Sequence, residues 1–454
     1  MQQIWAETAL TADGWQNHVL LTLDKSGTIA SVEANASPAG DRTGVLLPAP
    51  VNLHSHAFQR AMAGLTEARG ANPSDSFWTW RQLMYRFLDQ LNPDHIEAIA
   101  AFVQMEMLEA GYSAVAEFHY LHHQPDGTAY DDIAELSGRI CSAASDTGIG
   151  LTLLPVLYEH GGCDGRALGP GQKRFGNSPD KYARLQQAAA RTASRLPGDT
   201  TVGVAPHSLR AVSRDGLKFA EWIAADTPIH MHLAEQVAEV EEVEAAWGQR
   251  PVDWLLSHHK VDGRWCLIHC TQMTPDETTA LAATGAVAGL CPITESSLGD
   301  GIFDGVRYLA AGGRFGVGSD SNIRISLDEE LRTLEYSQRL RDRGRAMLAT
   351  PDKSTGRVLF EGACAGGARA AGRTSGSIAQ GRLADLVALD AGHPNLAGRT
   401  GDAVLDSFIF AGGNELVSDV WSAGRHCVHE GNHVARGHII QRYIETISDL
   451  NNLL

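Results

Sequence analysis

Basic residues and paired cysteines are what this chain most conspicuously lacks. Lysine and arginine number 37 against 54 aspartates and glutamates, a formal net charge of −17. The average surface therefore repels a polyanion, and no nucleic-acid partner is expected. The seven cysteines, Cys141, Cys163, Cys266, Cys270, Cys291, Cys364 and Cys427, are odd in number and form no Cys-x-x-Cys pair. That argues against both a thiolate zinc site and a disulfide framework, and for reduced thiols. No apolar run approaches the ~18 residues that span a bilayer. The opening MQQIWAETALTADGW has no basic segment followed by an apolar one, so no signal peptide, no membrane association and a cytoplasmic location are expected. Internal repeats and low-complexity tracts are also missing. What remains, 43% apolar and 20% charged residues, is ordinary globular composition. At 454 residues the chain exceeds one ordinary core, which suggests a large domain with a smaller companion.

Eight short apolar runs recur between glycines: GVLLPAPVNL (44–53), SAVAEF (113–118), GIGLTLLPVLY (148–158), TVGVAP (201–206), TPIHMHL (227–233), WCLIHC (265–270), GAVAGLCP (285–292) and GRFGVGSD (313–320). Each is too continuously apolar for a strand with one wet face, and buried parallel strands read this way. Helix-like stretches lie between them, such as 93–111, 131–148, 178–196 and 274–285, several opening on Ser, Thr or Asp and closing on Gly, as helix caps do. The alternation predicts an α/β fold, a (β/α)8 TIM-like barrel over residues 48–376. A doubly wound sheet would normally show a Gly-rich phosphate turn after its first strand, and none is present. Residues 1–47 and 377–454 read as short strands with glycine turns, and are expected to pair into one small β-sandwich domain built from both termini.

The barrel strands end on metal-binding side chains. His54 and His56 stand two apart at the end of the first run, so both imidazoles face the same side of a regular strand. His232, His269 and Asp320 end three further runs, where barrel active sites are built. A buried, hydrogen-bonded histidine is the ordinary reading of any one of these, but not of four strand ends together. Nitrogen and carboxylate donors without sulfur suit Zn²⁺, with Fe²⁺ or Mn²⁺ as alternatives. His230 also lies two before His232, and spacing alone does not separate them; position and the nearby Glu235 favour His232. Glu235, just past the strand, is placed to shuttle a proton beside a metal-activated water.

With His54-Ser55-His56, His232-Leu233-Ala234-Glu235, His269 and Gly318-Ser319-Asp320 in these places, the chain resembles the amidohydrolase superfamily and specifically its deaminase branch. The resemblance implies one Zn²⁺ per subunit held by His54, His56, His232 and Asp320. It also implies a catalytic set of Glu235, His269 and Asp320, and a homodimer. Members with two metals use a bridging lysine, absent from LTLLPVLY and TVGVAPHS, so a single metal and hydrolytic removal of ammonia are expected. Within that branch, HSHAFQRAMAGLTE (54–67), FWTWRQLMY (77–85), EFHYLHH (117–123), APHSLRAVS (205–213) and CPITESSLGDGIF (291–303) are most similar to the group that hydrolyses N-formimino-L-glutamate in histidine degradation. That likeness implies Gln59, Arg81, Tyr120, His207 and Arg210 as substrate-binding residues. A dicarboxylate substrate needs guanidinium groups, and a chain of this charge needs them to admit an anion at all. The alternative within the branch is a deaminase of guanine, cytosine or an adenosine-type nucleoside.

Overall fold

Pro48 and Pro50 break the first apolar run in two. In the computed structural model, which describes residues 2–67 and 84–453, strand β4 (Asp41–Pro48) belongs to one sheet and β5 (Val51–Ser55) to another. Proline cannot donate to a ladder, so the chain leaves one sheet and enters the next across Ala49-Pro50. Pro50 contributes only its carbonyl, which accepts from Ser113 N–H at 3.1 Å.

Two parallel sheets follow. One contains β5, β6 (Ala114–His119), β7 (Gly150–Leu157) and β8 (Thr201–Val202), with β9 (Ala205–Pro206) also paired to β7. The other contains β10 (Ile229–Leu233), β11 (Trp265–His269), β12 (Val287–Leu290) and β13 (Arg314–Val317). Their edges meet through two isolated parallel bridges, Val204 with Ile229 and Ser55 with Asp320. The run TVGVAP, expected as one strand, is interrupted at Gly203-Val204. There Gly203 N–H still donates to Leu153 on β7, while Val204 N–H turns to Pro228. A Cβ on Gly203 would stand 2.7 Å from the Pro228 carbonyl oxygen, so the close approach of this segment to Pro228 needs glycine.

Both termini contribute strands to a third sheet, hydrogen-bonded in one order, and its two ends come together where Gly27 packs against Ala423. Strands β1 (Gln2–Thr11), β2 (Gly14–Leu23), β3 (Ile29–Glu33), β14 (Leu386–Leu389), β15 (Val417–Ser422), β16 (Arg425–His429) and β17 (Asn432–His433) join β4 in the order β17-β16-β15-β14-β4-β1-β2-β3. Ile4, Leu21, Leu46, Leu386 and Trp421 form its buried apolar cluster. The C-terminal stretch also carries helices, Asp402–Ala411 and Arg436–Leu453. The latter lies along helix Pro93–Glu109, with Tyr443 stacked on Phe102 at 3.9 Å. Among the described residues no helix is long and apolar enough to cross a membrane.

Helix boundaries follow the caps seen in the sequence. Asn92, Ser178 and Thr274 accept the N–H of the residue three further on, and Gly148 ends its helix in the left-handed region at φ +73°. Helix Thr355–Ala370 lies against β13 and β5 through its glycines: a Cβ on Gly366 would stand 1.8 Å from Phe315 O. That contact sets how β13 approaches β5. Because backbone cannot yield as a side chain can, Gly366→Ala is expected to destabilise the fold by at least the ~1–3 kcal/mol of overpacking, measured as a lower midpoint in urea or thermal unfolding.

Candidate active site

The strand ends converge because the segment after β13 is laced to β5. Asp320 N–H donates to His54 O and His56 N–H to Asp320 O, each at 2.9 Å. Gly318 makes the approach possible, since a Cβ there would stand 2.6 Å from His54 N. Behind the bridge runs a fully buried polar chain. Asn52 Nδ2 donates to Ser319 Oγ (2.7 Å), Ser319 Oγ to Asn322 Oδ1 (2.6 Å), and Asn322 Nδ2 to Ser55 Oγ (3.2 Å). The strand is not regular here. A bulge between Asn52 and Ser55 shifts its register on β6 and re-aims the His54–His56 segment. His269 (φ +70°) and Asp320 (φ +46°) both adopt left-handed backbone, a conformation that non-glycine residues hold only where the surroundings impose it.

Four side chains meet at these ends. His54 Nε2 faces His232 Nε2 at 3.2 Å, and Asp320 Oδ1 lies 3.5 Å from His54 Nε2 and 3.3 Å from His56 Nε2. His56 Nδ1 is 2.9 Å from Phe118 O and His232 Nδ1 is 3.0 Å from His207 O. A carbonyl only accepts, so both Nδ1 atoms carry hydrogen and both Nε2 lone pairs point inward. Burial pulls the His54 pKa down to about 3, and burial with neighbouring imidazoles holds His232 well below its ordinary value. Burial alone would raise the Asp320 pKa, but the surrounding imidazoles outweigh it and keep the carboxyl ionised. Three neutral imidazoles and one carboxylate, lone pairs convergent, are the form a divalent cation requires. The residues therefore fit a metal ion, with His54, His56 and His232 nitrogens and Asp320 Oδ1 facing one space. His230, the other candidate, turns away and bonds Ala370 O at 2.8 Å.

Glu235 and His269 stand beside this cluster. His269 Nε2 is 3.8 Å from Glu235 Oε1 and 3.9 Å from Asp320 Oδ2, while Nδ1 is 3.2 Å from Glu295 Oε1. Burial lowers the His269 pKa, but Glu235, Glu295 and Asp320 together outweigh it and raise the group well above its ordinary value. Burial raises that of Glu235. An acid reluctant to ionise beside a polarised histidine is a pair suited to proton transfer.

The cavity over the cluster is lined by His56, Gln59, Tyr120, His207, Arg210, His232, Glu235, His269 and Asp320, and His54 lies beneath them, fully buried. Gln59 Nε2 donates to the Tyr120 hydroxyl at 2.7 Å, and Gln59 Oε1 has no partner among the described residues. Arg210 is only 8% exposed, and its Nε has no hydrogen-bond partner among the described residues. Arg81 lies outside the described residues. Met84, Tyr158, Phe175, Leu298 and Ser321 complete the wall. Sequence reasoning does not single these out, although Tyr158 closes an apolar run as His232 does. It also passes over Glu295 and Glu117, both inside stretches that carry the family likeness.

Residues 45–427 match the amidohydrolase family, and the chain belongs to it. Residues 1–44 match a second family, described as the N-terminal domain of formimidoylglutamate deiminase HutF. The chain is 49% identical over 456 residues to a formimidoylglutamate deiminase of Pseudomonas aeruginosa, covering 99% of this chain and all of that protein. It is 25% identical over 393 residues to a 5-methylthioadenosine/S-adenosylhomocysteine deaminase of Bacillus cereus, covering 85% and 82% of the two chains. The crystal structure of an amidohydrolase from Brucella melitensis superposes with a TM-score of 0.95 at 46% identity, covering 99% of this chain and all of that one.

Glu117 on β6 holds the histidine segment in place. Its Oε1 accepts Ala57 N–H at 2.7 Å and the carboxyl also bonds Ser55, while burial pushes its pKa from 4.5 up to about 7. Between those values the folded metal-free protein keeps a proton that the unfolded chain has released. That contribution to stability is complete below pH 4.5, declines as pH rises and is gone above about 7. In Glu117→Gln the decline should vanish. Urea unfolding of the two metal-free proteins across pH 4.5–8 checks this, the stability difference changing through the window and levelling above it.

Proposed function

We propose that this chain hydrolyses N-formimino-L-glutamate to N-formyl-L-glutamate and ammonia. It would use one Zn²⁺ per subunit held by His54, His56, His232 and Asp320. One observation carries the substrate: near-full-length identity of 49% to a formimidoylglutamate deiminase. The site's chemistry supports it. A buried guanidinium is costly unless an anion meets it, so Arg210 is suited to receive a substrate carboxylate, with Arg81 as the second expected cation. Gln59 Oε1, Tyr120 and His207 line the same cavity and are assigned to the substrate's polar groups. In this reading residues 48–376 form a closed (β/α)8 barrel whose seams are the Val204–Ile229 and Ser55–Asp320 bridges, with 1–47 and 377–454 as its companion domain.

When bound, the cation lowers the pKa of water toward neutrality. Asp320 accepts the proton of the attacking water through Oδ2, the oxygen that faces His269, and His269 orients the water. Oxygen bonds to the formimino carbon. Glu235 gives its proton to the terminal nitrogen, and Asp320 passes on the proton it gathered, so that nitrogen leaves as NH₃ as the C–N bond breaks. The remaining hydroxyl proton returns to Glu235 and a formyl group is left.

Ammonia release from N-formimino-L-glutamate, compared with guanine, cytosine and adenosine, tests the assignment. The formimino compound should be the fastest substrate, and faster turnover of a nucleobase or nucleoside would overturn it. Glu235→Ala is expected to lower kcat by the ~10²–10⁴ typical of lost acid–base catalysis while metal content stays unchanged. Arg210→Ala should lose a charge-assisted bond, about a ten- to hundredfold drop in kcat/KM expressed mainly in KM. Steady-state kinetics with metal analysis measure both. Chelation should abolish turnover, and Zn²⁺ should restore it.

A further inference from the structure

The sheet built from the termini carries a second cluster of nitrogen and carboxylate donors, away from the parallel strands' ends. Asp419 lies on β15, and His426 and His429 on β16, where a register shift follows Val420. His426 Nε2 and His429 Nδ1 both stand 2.9 Å from the same atom, Asp419 Oδ1, and the three donor atoms lie within 4.8 Å of one another. These separations resemble those at the active-site cluster, where His54 Nε2 and His232 Nε2 are 3.2 Å apart.

The surroundings favour a cation. Asp419 is partnered by the two imidazoles and by Ser418. Asp419, Glu430 and Asp41 each bear on His429 with negative charge. His426 is held in register by stacking on Trp421, centroids 4.4 Å apart at 19°, and Trp421 is itself anchored in the sheet's buried cluster. Two donors are thus fixed by packing, while His429, with its side chain 63% exposed, closes the site and leaves open positions for water. A shift of tautomer turns each imidazole's facing nitrogen from donor to lone pair, and three lone pairs then point into one space.

We infer that Asp419, His426 and His429 form a second metal site, for a borderline divalent ion such as Zn²⁺, Ni²⁺ or Cu²⁺, which pins β16 to β15. Two imidazole nitrogens and one carboxylate oxygen without sulfur select this class over Ca²⁺ or Mg²⁺. With three protein donors and an exposed flank, the site binds more weakly than the buried four-donor cluster, and it leaves catalysis untouched.

Zn²⁺ titration of the metal-free full chain by calorimetry, with metal counting after desalting, tests this. The wild-type protein is expected to show a tight class of one equivalent and a weaker second equivalent. His429→Ala and the double variant His426→Ala/His429→Ala should keep the tight equivalent and full activity and lose the weaker one. Zn²⁺ in excess over the first equivalent should raise the Tm of the wild type but not of either variant. Cu²⁺ added to the zinc-loaded enzyme should give an electron paramagnetic resonance spectrum with coupling to two nitrogens, absent in the double variant. A wild type that stops at one equivalent, or variants that bind as many as it does, would overturn the inference.

Discussion

The convergence of three imidazole nitrogens and one carboxylate oxygen on a single buried space is the constraint around which this molecule is arranged. His54 Nε2 and His232 Nε2 stand 3.2 Å apart, and Asp320 Oδ1 lies 3.5 Å from His54 Nε2 and 3.3 Å from His56 Nε2, a set of donors that a divalent cation would satisfy together. Holding them there demands a rigid frame, and the frame is backbone: two strand ends bridged through Asp320, a bulge in β5, and residues forced into left-handed conformations. The polar chain from Asn52 through Ser319 and Asn322 to Ser55 buries no charge and lets both strand ends dock dry. Fold stability and the geometry of the cluster thereby share the same bonds, since whatever loosens the seam also scatters His54, His56 and Asp320.

Electrostatics divides the site into two halves. Around the imidazole cluster, burial strips protons from histidine and the imidazoles keep Asp320 charged. A few ångströms away, three carboxylates gather on His269, and burial favours the protonated form of Glu235. The imidazole cluster and the Glu235–His269 pair thus lie side by side with opposite protonation preferences, the arrangement that the proposed hydrolytic removal of ammonia needs. Arg210 supplies the local positive charge in a chain whose overall charge of −17 opposes an anionic substrate.

Much of this architecture is legible in the order of residues. Continuous apolar runs mark the parallel strands because burial on both faces leaves no polar alternation, and cap residues mark the helices. Expectation and structure part where a local pattern has two tertiary outcomes. GVLLPAPVNL is uniformly apolar, yet its prolines divide it between two sheets. TVGVAP forms two short pieces, both paired to β7, with Gly203 packed against Pro228 between them. The terminal strands alternate, but alternation does not reveal the single hydrogen-bonded order that joins β17 through to β3. Glu117 and Glu295 escape notice because a lone carboxylate has no sequence spacing; its role lies in which distant N–H or imidazole it meets.

The donor types at the strand ends are a property of the sequence alone. Side-chain chemistry and strand periodicity are local, so histidine and aspartate closing apolar runs can be recognised from the order of residues. Position in the run already favours His232 over His230, but only the tertiary structure supplies the reason: the Ala370 carbonyl, 140 residues distant, claims the His230 imidazole. The tertiary structure alone also brought Asp419, His426 and His429 to one point, because strand register and a stacked tryptophan, neither encoded by spacing, set the distances between them.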